Sequence, residues 1–314
     1  MKSKITVIGA GSVGATIAYT LSNEDIATEI VLIDINKQKA EGEVMDIIQG
    51  TCFRDPISIK SGDYEDAKDS NIVIITSGVA RKPGQSRLEL TQTNVDIIKS
   101  IAPNIAKAAP NALYIIVSNP VDIITYVFMK ISGIPENQII GSGTALDTAR
   151  LRYLLGDYFS VDPRNVHAYV IGEHGDSEFV PWSQAMVATK SVLDICAESG
   201  GKYCTAEMET ISGEVRDAAQ KIIEAKRSTY YGIGMALVRI TRAIFGNESS
   251  VLTVSTLLRG EYGQQDVYAG VPCIVGRDGV RDVIHLKLTA EEQRKFDASC
   301  RVLKDTYEGL QLNK

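Results

Sequence analysis

Short apolar runs rich in β-branched residues recur through the first half of the chain, at Ile5–Ile8, Ile30–Ile33, Ile57–Ile59, Ile72–Thr76, Leu113–Val117 and Ile139–Gly141. Most are separated by stretches with helical spacing or composition, among them Val13–Leu21, Lys37–Ile48 and Val95–Ala109. Strands that alternate with helices predict parallel βαβ units. The runs carry apolar side chains on both faces, as a sheet covered by helices on both sides requires.

Beyond about residue 145 the pattern changes. Glu207–Lys226 and Thr289–Gln311 have the amphipathic spacing of helices, whereas Val166–Ile171, Val251–Leu258 and Val271–Val275 read as extended. No Pro/Gly/Ser-rich linker, internal repeat or low-complexity segment lies between the halves. The expectation is two closely packed domains, residues 1–143 and 144–314.

Composition narrows the function classes. Thirty-three basic and 39 acidic residues in 314 give a net charge of -6, which argues against a surface for nucleic acid. The five cysteines, Cys52, Cys196, Cys204, Cys273 and Cys300, include no Cys-x-x-Cys pair and read as reduced thiols of a cytosolic protein. The apolar run after Met1–Lys4 is too short for a secretory signal, and no stretch approaches the roughly 18 apolar residues of a membrane span. A soluble, cytoplasmic protein without a membrane partner is expected.

The first strand runs directly into Gly9-Ala10-Gly11-Ser12-Val13-Gly14, which opens the first helix. In that context the first glycine permits a tight turn, the second lets a pyrophosphate approach the backbone, and the third lets helix and strand pack closely. Phosphate would sit on the N–H groups at Ser12 and Val13, where the helix begins. Asp34 ends the second strand about 20 residues further on, where a carboxylate can bond a ribose diol and repel a 2′-phosphate. These features predict a Rossmann-type doubly wound parallel sheet that binds NAD, followed by a mixed α+β catalytic domain: an α/β protein. Taken alone, the glycines could form an ordinary turn and Asp34 a solvated strand end.

Past the fourth strand lies Ser77-Gly78-Val79-Ala80-Arg81-Lys82-Pro83-Gly84-Gln85-Ser86-Arg87, glycines and a proline around three cations. It suits a cover for an anionic ligand, although a solvated basic loop has the same composition. Further along, Asp147 and Arg150 stand three residues apart, a spacing that puts both on one helix face, and His174 follows between glycines. An imidazole can exchange a proton near neutrality, a carboxylate can orient it, and a guanidinium can grip a substrate carboxylate. Singly, each has a bland explanation as a turn residue or surface ion pair.

Together the motifs are specific. Gly9–Gly14, Lys82-Pro83-Gly84, Ser118-Asn119-Pro120-Val121-Asp122, Leu146-Asp147-Thr148-Ala149-Arg150 and Gly172-Glu173-His174-Gly175-Asp176 occur in that order. Over essentially its whole length the chain resembles the L-lactate/L-malate dehydrogenase family. The resemblance implies hydride transfer between NAD and a small 2-keto or 2-hydroxy acid, with no metal. By the same resemblance His174 is the acid/base residue and Asp147 its partner, Arg150 the carboxylate fork, and Arg87 the lid arginine that polarises the carbonyl. Asn119 would bond the reacting oxygen in a turn whose Asn-Pro bond is cis, and Thr229 would line the substrate pocket. Gly78, Val117 and Asn119 would join Gly9, Gly11, Ser12, Val13, Gly14 and Asp34 along the cofactor. A dimer or tetramer is implied as well.

The substrate depends on the residue before Lys-Pro-Gly, which in this resemblance is glutamine for lactate enzymes and arginine for malate enzymes. Here it is Arg81, whose charge would pair with a second carboxylate, so oxaloacetate is the expected substrate. Gly172–Phe179 and Ser228–Gly232 resemble the lactate branch instead, which leaves pyruvate as the alternative. A different class, a non-catalytic NAD sensor, predicts loss of a catalytic group, and an NAD-dependent glycosidase predicts a longer chain and a metal. The positions matched to the bisphosphate-activation pair of some relatives are His167 and Gln184, which predicts little activation for want of fixed cations.

Overall fold

The structure is a computed structural model that describes residues 3–79 and 87–311. Six parallel strands form its centre: β1 (Lys4–Ile8), β2 (Glu29–Ile33), β3 (Ser58–Ser61), β4 (Ile72–Ile75), β5 (Leu113–Ile116) and β6 (Ile139–Gly141). Their spatial order is β3-β2-β1-β4-β5-β6, so the chain builds outward from β1 in one direction and then crosses to β4 on the other side. That reversal opens a crevice beyond the carboxyl ends of β1 and β4. The helices between the strands are α1 (Ser12–Asn23), α2 (Lys37–Gln49), α3 (Arg87–Ala108) and α4 (Val121–Ser132), followed after β6 by α5 (Ala145–Phe159).

Every residue of β1, β2, β4, β5 and β6 is buried, as the two-sided apolar runs predict. Ile5, Ile30, Leu32, Ile72 and Ile74 have no exposed surface. Each contributes about 1.5–3 kcal/mol by burial, which anchors the strand ends from which the crevice residues project.

The second half adds the short strands β7 (Val166–His167), β8 (Met186–Val187) and β9 (Lys190–Ser191), which form a separate three-stranded sheet. It continues through α6 (Val192–Glu198), α7 (Ala206–Lys226) and α8 (Tyr231–Phe245) to β10 (Ser250–Arg259), β11 (Gln265–Gly276), β12 (Gly279–Val283) and α9 (Ala290–Glu308). Strand β11 runs antiparallel to both β10 and β12, and β10 pairs with β6 at Ser255 and Gly141, so the large sheet runs on into this half. Leu151, Leu155 and Phe159 of α5 pack with Met208, Ile211 and Val215 of α7 in a smaller second core.

The segment Val166–Ile171, expected to be extended throughout, is a ladder only at Val166–His167. Its backbone bonds go elsewhere. The Val170 N–H donates to the Thr148 hydroxyl at 2.9 Å and its carbonyl accepts from Thr144 at 2.6 Å, so side chains of α5 and of the residue just before it take the place of a strand partner. This fastening brings the segment that leads to His174 against the helix that carries Asp147. Among the described residues no helix is long and apolar enough to cross a membrane.

Candidate functional site

The glycine loop follows β1, and its geometry suits a dinucleotide. Gly9 has φ 108°, a left-handed value that a side chain would strain. A Cβ on Gly14 would lie 1.8 Å from the Gly9 carbonyl oxygen, so α1 can approach β1 this closely only with glycine there. A Cβ on Gly11 would meet nothing within 4 Å. Open space at Gly11, beside the first turn of α1 at Ser12 and Val13, where helix geometry leaves N–H groups without an intrahelical partner and no side chain caps them from Gly11, is what an incoming pyrophosphate requires.

Asp34 stands at the end of β2 beside this loop. One of its oxygens accepts from the Ala10 N–H at 2.6 Å and the other from the Asn36 N–H at 2.8 Å. The carboxylate therefore braces the glycine loop as well as lying where a ribose would come. The sequence alone suggested only the second role.

On α5 the i, i+3 spacing does bring Asp147 and Arg150 together, with Arg150 Nη1 donating to Asp147 Oδ1 at 2.7 Å. The other oxygen, Oδ2, lies 2.6 Å from His174 Nδ1. Asp147 is 1% exposed, and one carboxylate thus engages the imidazole and the guanidinium at once. The ionised carboxylate accepts, so Nδ1 carries the proton and Nε2 is left for exchange with a ligand. Only one of the five N–H donors of Arg150 is used by Asp147, which leaves others for a substrate carboxylate.

Charge and burial compete at this pair. Burial pushes His174 down, but the charge and hydrogen bond of Asp147, with the charges of Glu178 and Asp122, lift it to about 9. Burial pushes Asp147 up, but the charge and hydrogen bond of His174, with those of Arg150, hold it below the usual carboxylate range. The resulting state at neutral pH is imidazolium beside carboxylate, ready to donate a proton.

Sequence reasoning missed Glu178. It is 5% exposed, with Oε2 4.0 Å from His174 Nδ1, and its ligand atom lies with those of Asp147 and His174 within 4.8 Å of one another. Burial pushes its carboxyl up to about 8, with the charge of Asp147 adding to the rise. The signal was its place four residues after His174 in the same motif.

Asn119 follows β5 at the crevice, in a turn whose Asn119-Pro120 bond is cis, as the resemblance implied. Its carbonyl accepts from Asn94 Nδ2 of α3 at 2.8 Å, while Asn94 Oδ1 accepts from the Val79 N–H at 2.8 Å. The buried Asn94 thereby ties the segment holding Gly78 to the Asn119 turn, a link the sequence did not suggest. The Val117 N–H continues the ladder to Ile75 at 2.9 Å and so sits at the mouth of the same crevice. Thr229 is half-buried in the connection between α7 and α8; nearby, a Cβ on Gly232 would lie 2.9 Å from Leu146, the neighbour of Asp147. Arg81 and the Lys82-Pro83-Gly84 motif lie outside the described residues, and of Arg87 only its position at the start of α3 is described.

Around the two positions matched to the bisphosphate pair, the fold brings in a cation from another element. Arg152 of α5 donates to the carbonyl of Ala168, which follows His167 in sequence, at 3.2 Å. Gln184, taken as the second position, instead donates to the Lys287 carbonyl at 2.9 Å. The pairing of His167 with Gln184 missed this arginine because α5 and β7 meet only in the fold.

Known proteins match this chain along its whole length. The lactate/malate dehydrogenase NAD binding domain family matches residues 3–141, and the lactate/malate dehydrogenase alpha/beta C-terminal domain family matches residues 144–311. The chain is 48% identical over 309 residues to L-lactate dehydrogenase 1 of Clostridium acetobutylicum, covering 98% of each protein. It is also 48% identical over 304 residues to an L-lactate dehydrogenase of a Geobacillus species, covering 96% of this chain and 95% of that protein. Among solved structures, the minor L-lactate dehydrogenase of Enterococcus mundtii with ligands bound superposes with a TM-score of 0.96 at 42% identity, covering 99% of each chain. A lactate dehydrogenase from a Medee basin deep-sea metagenome gives 0.95 at 46% identity and 98% coverage of each. With both of its halves matched, this chain belongs to the lactate/malate dehydrogenase family.

Proposed function

We propose that this protein is an NAD-dependent L-lactate dehydrogenase that interconverts pyruvate and L-lactate. The observation that carries the chemistry is the 2.6 Å contact between His174 Nδ1 and the buried Asp147, with Arg150 on the same carboxylate. The site residues divide the work. His174 holds a proton at Nε2 and gives it to the substrate oxygen as the alcohol forms, while Asp147 stabilises the imidazolium before that transfer. Arg150 binds the substrate carboxylate as a fork, Asn119 bonds the reacting oxygen, Arg87 adds charge at that oxygen, and Thr229 lines the pocket.

The glycine loop fits the cofactor, since open space at Gly11 faces the start of α1. Gly9, Gly11, Ser12, Val13 and Gly14 would hold the pyrophosphate, Asp34 the ribose, and Gly78, Val117 and Asn119 the nicotinamide end. When bound, NADH supplies the hydride. A Gly11→Val variant places a side chain where the diphosphate would lie, and its Cβ meets no protein atom within 4 Å. Its Kd for NADH, read by fluorescence titration, is expected to rise at least about tenfold with thermal stability little changed.

The expectation of oxaloacetate, drawn from Arg81, is not supported by the relatives, which are named as L-lactate dehydrogenases. Whole-length likeness to those proteins favours pyruvate, and Arg81 is the one observation that favours oxaloacetate. The kcat/KM values for the two keto acids with NADH decide between them. Wild type is expected to prefer pyruvate, and Arg81→Gln to move the ratio further toward pyruvate by about tenfold or more, because the lost charge would serve only a second carboxylate. A wild-type preference for oxaloacetate would restore the malate reading, and an unchanged ratio in the variant would remove Arg81 from substrate choice. A dimer or tetramer working in the cytoplasm completes the proposal and rests on the family likeness.

A further inference from the structure

His174 is held from behind by a residue to which the proposed mechanism gives no role. Asp122, in the first turn of α4, is 1% exposed, and its Oδ2 accepts from the His174 backbone N–H at 2.8 Å. Its Oδ1 accepts from the Ser255 hydroxyl of β10, and its own carbonyl accepts from Tyr307 of α9 at 3.3 Å. Three residues earlier in the same turn stands Asn119, across the cis bond. One short segment therefore carries the residue assigned to the reacting oxygen at one end and a clamp on the acid/base residue at the other.

The geometry points to Asp122 as a positioning residue that fastens the His174 loop to the Asn119 turn, so that the two groups assigned to the reacting oxygen keep one register. This rests on the reading of His174 and Asn119 given above. A carboxylate is costly to bury unless its oxygens are bonded. Here the side chain has a donor on each oxygen and sits at the positive end of a helix, which offsets that cost. Neighbouring braces act on other atoms of the loop: Ser299 of α9 accepts from the Glu173 N–H at 2.8 Å, and Gly172 exchanges backbone bonds with Gly270. They keep the loop folded against α9 and β11. Among the described residues, Asp122 alone connects the His174 amide itself to the helix that follows Asn119.

The test compares wild type, Asp122→Asn, Asp122→Ala and His174→Ala by kcat with pyruvate, Kd for NADH and thermal melting. Asparagine can still accept from the His174 amide through its carbonyl oxygen and donate to Ser255, so Asp122→Asn is expected to keep kcat within about threefold of wild type. Alanine releases the loop, and Asp122→Ala is expected to lose about 10–100-fold in kcat while NADH affinity stays within about twofold. A purely structural role would lower NADH affinity and kcat together, and that result overturns the proposal, as does a kcat for Asp122→Ala within about threefold of wild type. Equal losses in the asparagine and alanine variants overturn it too, since charge and not the clamp would then be the cause. Should the alanine variant fail to fold, Ser255→Ala, which frees one side of the carboxylate, is expected to lower kcat about 3–10-fold at unchanged NADH affinity, and an unchanged kcat refutes the clamp. If His174→Ala turns over like wild type, the reading of the site itself fails. If His174→Ala is inactive while Asp122→Ala is normal, only the role of Asp122 fails.

Discussion

Replacing His174 with alanine is expected to lower kcat for pyruvate reduction by about 10²–10⁴-fold, while NADH binds within about twofold of wild type. The size follows from what is removed. Without an imidazole, the oxygen that gains charge as hydride arrives must take its proton from water, which is a poorer donor and is not positioned. NADH affinity should hold because the glycine loop and Asp34 lie on the β1 and β2 ends of the crevice, whereas His174 is held by α5, α4 and α9. Stopped-flow reduction of pyruvate and fluorescence titration of NADH measure the two quantities separately.

The same pair of measurements separates the enzyme from its competitor of another class. A protein that only senses NAD would bind NADH and turn nothing over in either form. An alanine variant that retains a tenth or more of wild-type kcat, in rough terms, would mean that proton transfer does not pass through His174. The site would then need another acid, and Glu178, pushed up to about 8 by burial, is the group within reach.

What the sequence disclosed, and what it withheld, follows from the range of the interactions involved. The six parallel strands are local signals, since each is a short run with β-branched residues, five of them buried on both faces and β3 at the sheet edge buried only at Ile59, and all six lie within a residue or two of their expected ends. The glycine loop and the α5 pair are local as well, set by spacing along one turn or one helix. Helix α4 was not named because Val121–Phe128 are all buried, which leaves no polar face to betray the helical period. Asp122, Asn94 and Glu178 read as unremarkable polar residues in sequence. Their importance comes from contacts across α3, α4, β10 and the His174 loop, and those exist only once the chain is folded. Arg152 on the Ala168 carbonyl is another case, because the resemblance pointed to Gln184 and α5 meets this segment only in the fold.

Asp147→Asn is expected to move the pH profile as well as the rate. Asp147 lifts His174 to about 9, so the imidazolium that reduction needs is present below that value and is lost as the pH rises through it. Asparagine removes the negative charge while keeping the shape, and His174 should fall back toward its ordinary value of about 6.5. The alkaline limb of kcat/KM for pyruvate is therefore expected to move to lower pH by about two units. Lactate oxidation, which needs the neutral imidazole, should instead become competent at lower pH than in wild type. At pH 7.5 the two effects act in opposite directions on the two reactions, a signature that mere loss of packing could not produce. The rate at the new optimum should also drop by about 10²–10³-fold, because Asp147 is buried with Arg150 and its loss leaves that guanidinium without its carboxylate. A profile for Asp147→Asn whose alkaline limb stays where wild type has it would show that Asp147 orients the ring without tuning its proton. The lift to about 9 would then have to come from Glu178 and Asp122, and Glu178→Gln would be the variant that lowers it.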